Sequence, residues 1–314
     1  MRKAVFLILA GLALASCGGA DKSCGAYTIA TLKGPSAMGM IRMIDSQTDS
    51  SAFRIEVFSE PMQVRKMMLD GTADFAALPT TMAAILYNSG IGYRLAAIPV
   101  WSTLYLVGND MDDPVKTWQD LKGRRVFVMA KSMTPDLLFR HLLLQNGLDP
   151  DRDLILDYSF PTHVNLANAI AAGQAGLGIM TEPFVSLIVQ RNKSVRTIFD
   201  LGEEWDKVER TPLAETAFLV KDGTKPEIVD EVLSLYEEST GWVNLNPEEA
   251  AALVARHGIL PDSAAALRAI PNTNLKVVRA AEVASSVKNY LQVFYDMNPE
   301  TVGGKIPDEE FIYQ

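Results

Sequence analysis

Cysteine and histidine are scarce in this chain of 314 residues, which contains 2 Cys and 3 His. A zinc module or a Cys/His relay would have to use nearly every one of them, so we expect neither a metal site nor a cofactor. Basic residues are also in the minority, with 29 Lys and Arg against 38 Asp and Glu and a formal net charge of -9. Because nucleic acid is held by a positively charged surface, no nucleic-acid partner is expected.

Sequence motifs of catalysis are absent as well. The chain has no Gly-x-x-x-x-Gly-Lys-Ser/Thr phosphate loop, no Gly-x-Ser-x-Gly elbow, no His-Glu-x-x-His zinc motif and no Gly-x-Gly-x-x-Gly after a predicted strand. The runs of carboxylates at 203–204, 237–238 and 308–310 are typical of solvated surface. We therefore predict that the protein is not an enzyme.

The N-terminus is typical of an export signal. Arg2 and Lys3 precede an unbroken apolar run over residues 4–15, which is shorter than the roughly 20 residues that a membrane-spanning helix needs. Leu14-Ala15-Ser16-Cys17 ends this run and resembles the bacterial lipobox, in which the cysteine becomes the lipid-modified first residue of the mature protein. The alternative is an ordinary signal peptide with a chance cysteine.

The lipobox-like sequence predicts how the mature protein begins. We expect a signal peptide over residues 1–16 and a lipidated tether over 17–26, with Cys17 as the lipidated residue. The protein would then be extracytoplasmic (periplasmic) and anchored to a membrane through this lipid. Such a location limits the function to capture, assembly or extracellular catalysis.

Strand-like and helix-like segments alternate through the rest of the chain, which predicts an α/β fold with mostly parallel sheets. The pattern restarts after about 110 residues, so two lobes are expected. Extended apolar segments at 103–107 and 216–220 bracket the second series. We therefore assign residues 27–104 and 218–314 to lobe I and residues 105–217 to lobe II.

Two loops of similar sequence precede helices at equivalent places in the two lobes. Lys33-Gly34-Pro35-Ser36 follows the first strand of lobe I, and Lys131-Ser132-Met133-Thr134 follows the first strand of lobe II. Ligands of open parallel sheets bind at such places, where free N–H groups of helix starts favour an anionic or strongly polar group. The alternative is that the hydroxyl residues are plain N-caps and the lysines are solvated.

Further candidates stand at other helix starts and at the crossing between lobes. Glu182, if buried, would favour a cationic or hydrogen-bond-donating ligand atom, which opposes the anion hypothesis. Trp101 is expected either to stack on a flat ligand or to pack in the core, and His163 either to reach the cleft or to be a polar surface cap. The predicted ligand-binding residues are Lys33, Gly34, Pro35, Ser36, Pro79, Thr80, Thr81, Trp101, Ser132, Met133, Thr134, His163, Asn165 and Glu182.

Longer segments carry a resemblance to a known family. They are Leu32–Met40, Asp70–Pro79, Asp120–Val126, Glu182–Phe184 and Asn298–Phe311, together with the Leu-Ala-Ser-Cys sequence. In this combination the chain resembles substrate-binding lipoproteins of ABC importers, of the nitrate/sulfonate/taurine and thiamine-precursor type. The resemblance implies a two-lobed periplasmic-binding-protein-like (type II) fold with a two-strand hinge, and a monomer that delivers a small-molecule solute to an ABC permease and its ATPase.

The function predicted from the sequence is capture of a small polar or anionic organic solute between two lobes by hinge closure. One alternative is an enzyme on the same fold, a pyrimidine-precursor synthase or chorismate-dehydratase-like protein, for which His163 and Glu182 are the available acid/base pair. Another is an adhesion or assembly lipoprotein without a ligand, in which the interface between the lobes would be sealed.

Overall fold

Two β-sheets organise the part of the chain that the computed structural model describes, residues 26–48, 50–109, 113–129 and 131–314. The predicted signal peptide, Cys17 and all but the last residue of the predicted tether lie outside these residues. In chain order the strands are β1 (Tyr27–Leu32), β2 (Phe53–Phe58), β3 (Phe75–Pro79), β4 (Tyr93–Val100), β5 (Leu104–Gly108), β6 (Arg125–Phe127), β7 (Ile155–Asp157), β8 (Leu177–Thr181), β9 (Arg196–Asp200), β10 (Thr216–Lys221) and β11 (Leu275–Arg279).

Helices cover both sheets. They are α1 (Pro35–Gly39), α2 (Ile41–Asp45), α3 (Pro61–Leu69), α4 (Thr80–Asn88), α5 (Thr134–Gln145), α6 (His163–Ala171), α7 (Phe184–Arg191), α8 (Leu201–Glu209), α9 (Pro226–Leu245), α10 (Pro247–Arg256), α11 (Ser263–Ala269) and α12 (Ala284–Met297). Short 3-10 helices span Trp118–Leu121, Ile270–Asn272, Ala280–Glu282, Pro299–Val302 and Glu309–Phe311. Among the described residues, no helix has both the length and the apolar character needed to cross a bilayer.

The strand order of each sheet explains how the chain passes between the lobes. The six-stranded sheet has the order β11-β4-β10-β3-β1-β2 and the five-stranded sheet the order β7-β6-β8-β5-β9. In the first sheet β1 is parallel to β2 and β3, whereas β10 is antiparallel to both of its neighbours. In the second, β6 is parallel to β7 and β8, whereas β5 is antiparallel to β8 and β9. The edge strand β11 is likewise antiparallel to β4. Strands β5 and β10 are the ones with which the chain enters each sheet from the other.

The predicted fold class is confirmed. We call the six-stranded sheet with its helices lobe I and the five-stranded sheet with its helices lobe II. The chain crosses from β4 to β5 through residues 101–103 and returns from α8 to β10 through residues 210–215, which form the two-strand hinge. Because the carboxyl ends of the parallel strands in both sheets point toward these crossings, the helices that follow them begin near the other lobe.

Local sequence signals account for most of these elements. The strand β3 is buried over its first four residues, as expected for a continuous apolar run in the middle of a sheet. At the start of α6 the Thr162 hydroxyl accepts a hydrogen bond from the Asn165 backbone N–H at 3.1 Å, and Asp200 caps α8 in the same way at Gly202. The segment after β1 forms two short helices, α1 and α2, that are divided at Met40. Glycine is a weak helix former, and Gly39 stands directly before this division.

The lobes also touch away from the hinge strands. Helix α11 of lobe I lies against α7 of lobe II, and α12 of lobe I lies against α5 of lobe II. The Trp205 ring of α8 is 5.8 Å from the Tyr290 ring of α12, and the Asn289 side chain donates to the Thr211 hydroxyl at 2.9 Å. These contacts hold the helix starts of the two lobes close to one another.

Candidate ligand-binding site

Four helix starts meet between the two sheets. The hydroxyl oxygens of Thr81, in the first turn of α4, and Thr134, the first residue of α5, are 3.1 Å apart and hydrogen-bonded. Gly34, which precedes α1, faces Pro183, which precedes α7, because a Cβ atom placed on Gly34 would lie 3.8 Å from Pro183 Cδ. Two helices of lobe I thus point their N-terminal ends at two helices of lobe II, although the loops at 33–36 and 131–134 face these other helix starts rather than each other.

Buried polar atoms without hydrogen-bond partners lie at this meeting point. The Thr80 hydroxyl begins α4 beside Thr81, is fully buried and has no partner among the described residues. The Tyr290 hydroxyl on α12 is equally buried and unpartnered, although the Thr134 hydroxyl is near enough to oppose the rise that burial causes in the pKa of Tyr290. Since buried polar groups are nearly always satisfied, such atoms beside the Thr81–Thr134 contact indicate a place for a bound molecule or ordered water.

Glu182 lies at the start of α7 and is 2% exposed. Its carboxylate accepts hydrogen bonds from the Ser186 backbone N–H at 3.1 Å and from the Ser186 hydroxyl at 2.9 Å. Burial raises the pKa of Glu182 to about 7, against the opposing effects of Ser186, of the Asn272 side chain and of the Arg268 charge. Asn272 and Arg268 belong to lobe I, so this carboxyl group contacts the other lobe as well as its own helix.

His163 is the first residue of α6 and stacks on Phe184, with the ring centroids 5.2 Å apart and the planes 2° from parallel. Burial lowers the pKa of His163 to about 4, so the imidazole is neutral near pH 7. Its Nδ1 atom is buried and without a hydrogen-bond partner in the described structure. No hydrogen bond joins this ring to Glu182 within the described residues.

Comparison with known proteins gives the family. Residues 39–239 match the sequence profile of a family described as ABC transporter, phosphonate, periplasmic substrate-binding protein. This segment is more than half of the chain. The chain belongs to this family of substrate-binding proteins. The resemblance stated from the sequence is thereby confirmed, and the enzyme alternative is not favoured.

Individual relatives agree with this membership. One, from Escherichia coli strain K12, carries the provisional name of an aliphatic sulfonates-binding protein and is 30% identical over 190 residues. That match covers 59% of this chain and 56% of the relative, little more than half of its length. The structure of an ABC transporter protein from Parabacteroides distasonis is 27% identical, with a TM-score of 0.81 over 92% of this chain and 99% of that one. The aliphatic sulphonate binding protein SsuA of Escherichia coli shares the fold, with a TM-score of 0.74, 19% identity and 93% of each chain covered.

Ser36 lies in the loop before α1 but is engaged within its own lobe. Its hydroxyl accepts a hydrogen bond from the Thr31 hydroxyl at 3.1 Å and donates to the Leu32 carbonyl at 3.2 Å. The Tyr236 hydroxyl also donates to the Ser36 carbonyl at 3.0 Å. Ser36 therefore holds the loop in place. Of its neighbours, Gly34 is buried, Pro35 is half-buried and Lys33 is exposed.

The corresponding loop of lobe II is more open. Ser132 is exposed and has a φ angle of 64°, and its backbone N–H donates to the buried Asp136 carboxylate at 2.7 Å. Met133 is 54% exposed, and the Lys131 ammonium lies 5.3 Å from the centre of the Tyr158 ring. Thr134 is thus the residue of this loop that the structure brings against lobe I.

Three other predicted residues stand at the edge of the site or away from it. Pro79 is half-buried at the end of β3. Asn165 is exposed, and its side chain is hydrogen-bonded to Thr162 of its own helix start. Trp101 donates its indole N–H to the Lys276 carbonyl at 2.8 Å and lines a separate groove that contains none of the other predicted residues.

Residues that the sequence did not indicate complete the contact between the lobes. Tyr290 is one, and Tyr105 is another, since its hydroxyl donates to the Asn272 carbonyl at 2.8 Å across the hinge. Tyr290 belongs to an amphipathic helix far beyond Thr134 in the chain, and its ring is packed like any other core aromatic residue. Nothing in the local pattern distinguishes it from its neighbours, so only the tertiary structure places its hydroxyl in the site.

The raised pKa of Glu182 predicts how stability depends on pH. The folded protein retains this proton up to about pH 7, whereas the unfolded chain loses it near the ordinary value of 4.5. The unfolded state then binds fewer protons, so Glu182 lowers the free energy of unfolding as the pH rises from 4.5 to 7. Glu182→Gln should remove this dependence and gain about 3 kcal/mol relative to wild type between pH 4 and pH 8. Urea unfolding of both proteins across this range measures the difference.

His163 serves as the internal control for this experiment. The lowered pKa of His163 acts in the opposite direction. As the pH falls, the unfolded chain binds a proton at this residue near pH 6.5, whereas the folded protein binds it only near pH 4, so the free energy of unfolding falls between these values. Wild type and the Glu182→Gln variant share this contribution, so it cancels in their difference. A difference that stays constant with pH would contradict the assignment of the raised pKa.

Proposed function

We propose that the protein is an extracytoplasmic receptor that captures a small polar or anionic organic solute between its two lobes and closes on it. The convergence of helix starts from both lobes, with unpartnered polar atoms buried between them, carries this proposal. Backbone N–H groups at a helix start favour negative charge and strong hydrogen-bond acceptors. The family is named for phosphonates and the relative for aliphatic sulfonates. Both are organic oxyanions, whose oxygen atoms accept hydrogen bonds from such N–H groups.

Both lobes must contact the solute for this mechanism. A ligand shifts an open–closed equilibrium only by its difference in affinity for the two forms, so contacts with one lobe alone would leave closure unchanged. The Thr81–Thr134 hydrogen bond and the Gly34–Pro183 contact correspond to the closed form in this proposal. The hinge segments at 101–103 and 210–215 would absorb the motion, with lobe I formed by residues 27–104 and 218–314 and lobe II by 105–217.

The proposed ligand-binding set is smaller than the sequence prediction, because Trp101 lines a separate groove and the Asn165 side chain is bonded to its own helix start. Thr80, Thr81, Thr134, Gly34 and His163 are proposed to line the solute. The protonated form of Glu182, which burial favours, would donate a hydrogen bond and tolerate an anion nearby. This removes the conflict between a buried carboxyl group and an anionic ligand.

The finer features of the protein's cellular role are also proposals. Leu14-Ala15-Ser16-Cys17 supports removal of residues 1–16 and lipidation of Cys17, which would tether the receptor to a membrane. Membership of the family supports delivery of the solute to an ABC permease and its ATPase. We propose that the receptor acts as a monomer, because each chain contains both lobes of its own site.

Thr80→Val tests the site. Valine has the shape of threonine without the hydroxyl, so removing an unsatisfied buried oxygen should leave the free energy of unfolding unchanged or raise it by about 1 kcal/mol. The same change should weaken solute binding about tenfold, because a hydrogen bond to the solute is lost. Native mass spectrometry of freshly purified protein would identify the bound solute, and calorimetric titration with it would then give the two affinities.

Thr240→Val is the matched control. Thr240 is buried in α9, and its hydroxyl is 3.4 Å from the Gly39 carbonyl, on the side of lobe I away from α4. We expect this variant to bind the solute as wild type does. Equal affinity of wild type and Thr80→Val would remove Thr80 from the site.

A further inference from the structure

A second groove lies beside the hinge, between the edge strands β11 and β9 of the two sheets. Its volume is about 390 Å³, within the range typical of sites for small organic molecules. Lobe I and lobe II each supply one wall, and the hinge segments supply the floor. The lining residues are Trp101, Ser102, Asp200, Gly202, Glu203, Asp206, Pro212, Leu213, Asn274, Leu275 and Lys276.

The lobe II wall of this groove is acidic. Asp200, Glu203 and Asp206 lie on the first turns of α8, and within the described part of the chain none of them forms an ion pair. Burial and the charges of the other two raise the pKa of Asp206, and the pKa of Asp200 is raised mainly by burial. Lys276 is the only basic residue among those that line the groove. Three carboxylates and one lysine thus line the groove, and Lys207 of α8 interacts with Asp200 and Glu203 from outside the lining.

An unpartnered hydroxyl group lies in the same groove. Ser102 is 6% exposed, and its Oγ atom is buried without a hydrogen-bond partner in the described structure. It packs directly over Gly202, since a Cβ atom on Gly202 would lie 2.4 Å from Ser102 Oγ and 3.2 Å from Asp200 Oδ1. The Gly202 position therefore lies against both the Ser102 hydroxyl and the Asp200 carboxylate, and any side chain at 202 would collide with the hydroxyl.

The remaining lining is apolar except for Asn274, whose side chain donates to the Ser102 carbonyl at 2.8 Å. The Trp101 indole is fixed by its hydrogen bond to the Lys276 carbonyl, and Leu213 and Leu275 are buried beside it. The described residues contain no group of three or more His, Cys, Asp or Glu side chains arranged to hold a metal ion. A ligand with an apolar body and one cationic, hydrogen-bond-donating end matches these walls better than a bare ion does.

We propose that this groove is a second binding site, which takes an organic ammonium or guanidinium compound. The cationic end lies between Ser102 and the carboxylates of α8, and the apolar body lies against Trp101. Because the two walls belong to different lobes, occupation of the groove is coupled to the relative position of the lobes and hence to affinity in the cleft between the helix starts. This site does not depend on the nature of the solute proposed above.

Calorimetric titration with benzylamine tests the site, with uncharged benzyl alcohol of nearly the same shape as the reference. Wild type should bind one equivalent of benzylamine with a Kd of about 1 mM or tighter, and benzyl alcohol at least about tenfold more weakly. The Glu203→Gln/Asp206→Asn double variant should weaken benzylamine binding about tenfold or more. Ser102→Ala should also weaken it without lowering the unfolding temperature, because the hydroxyl has no partner to lose.

Two control variants establish whether benzylamine binds in this groove. Glu248→Gln/Glu249→Gln removes the same charge from an exposed first turn, that of α10, and should bind benzylamine within twofold of wild type. Thr240→Val, at a residue that lines neither site, should likewise leave benzylamine binding unchanged. Absence of saturable binding, equal binding of benzyl alcohol, an equal loss in the α10 variant or a loss in Thr240→Val would each overturn the proposal.

Discussion

Oxidation of a Thr81→Cys/Thr134→Cys double variant is expected to lock the two lobes together and abolish solute exchange. The two hydroxyl oxygens are 3.1 Å apart, and each residue begins a helix in a different lobe. Sulfur atoms in their place need to approach by only about 1 Å to reach the disulfide length, a movement within the range that side-chain rotation supplies. The bond would then prevent the hinge from opening the cleft.

The measurement compares the oxidised and reduced forms of the same protein, in a background with Cys17→Ser and Cys24→Ser. Small-angle scattering should show that solute-free wild type and the reduced variant expand relative to the solute-bound protein, while the oxidised variant stays compact. Addition of a reductant should restore expansion and solute exchange. If the thiols are fully oxidised and the protein still exchanges solute at the wild-type rate, the lobes do not open at this gap.

The alternation of strands and helices could be predicted from the sequence because its boundaries are marked by local chemistry. Thr162 caps α6, and Gly173 ends the turn after it with a φ angle of 74°, a conformation that glycine adopts without strain. Such signals act within a few residues, so they survive in any tertiary context. The crossing of the chain between the lobes was predictable for a similar reason, since the apolar strands at its two ends stand out from the polar segments beside them.

Elements that depend on long-range contacts were not predictable in the same way. The run Glu203-Glu204 of α8 is expected on solvated surface, and Glu203 is exposed, but no local pattern indicates that the next residue, Trp205, is completely buried. Strand β11 is short and pairs only with β4 at the edge of its sheet, so its sequence carries little periodic signal. Both elements gain their stability from partners that are distant in the sequence.

The candidate site shows the same division. Positions of helix starts follow from strand ends, so a gathering of helix starts between the lobes could be expected from the order of elements. Which starts meet could not be expected, because the sequence paired the loops at 33–36 and 131–134, whereas Thr134 contacts Thr81. The direction of each side chain could not, because it depends on which neighbour offers a hydrogen bond. Ser36 turns back to Thr31 and Leu32, whereas Thr80 has no partner among the described residues and remains available to a ligand.

Trp205 provides the second large expected effect, because it joins α8 to both lobes. Its ring is fully buried, 5.6 Å from the His141 ring and 5.8 Å from the Tyr290 ring, and its indole N–H donates to the Thr211 carbonyl at 2.8 Å. Trp205→Ala would leave a cavity between α5, α8 and α12 and an unpaired carbonyl in the return segment of the hinge. We expect the free energy of unfolding to fall by about 4 kcal/mol.

Trp242→Ala distinguishes this role from the general cost of losing an indole ring. Trp242 is half-buried on α9, where the Arg42 guanidinium lies 5.6 Å from its ring, so its removal should cost about 1 kcal/mol. Urea unfolding followed by far-ultraviolet circular dichroism gives both values.

Since Trp205 packs on Tyr290 of lobe I from a helix of lobe II, the loss of Trp205 should also separate the unfolding of the two lobes into two transitions. A single transition with no larger loss than in Trp242→Ala would show that α8 does not couple the lobes.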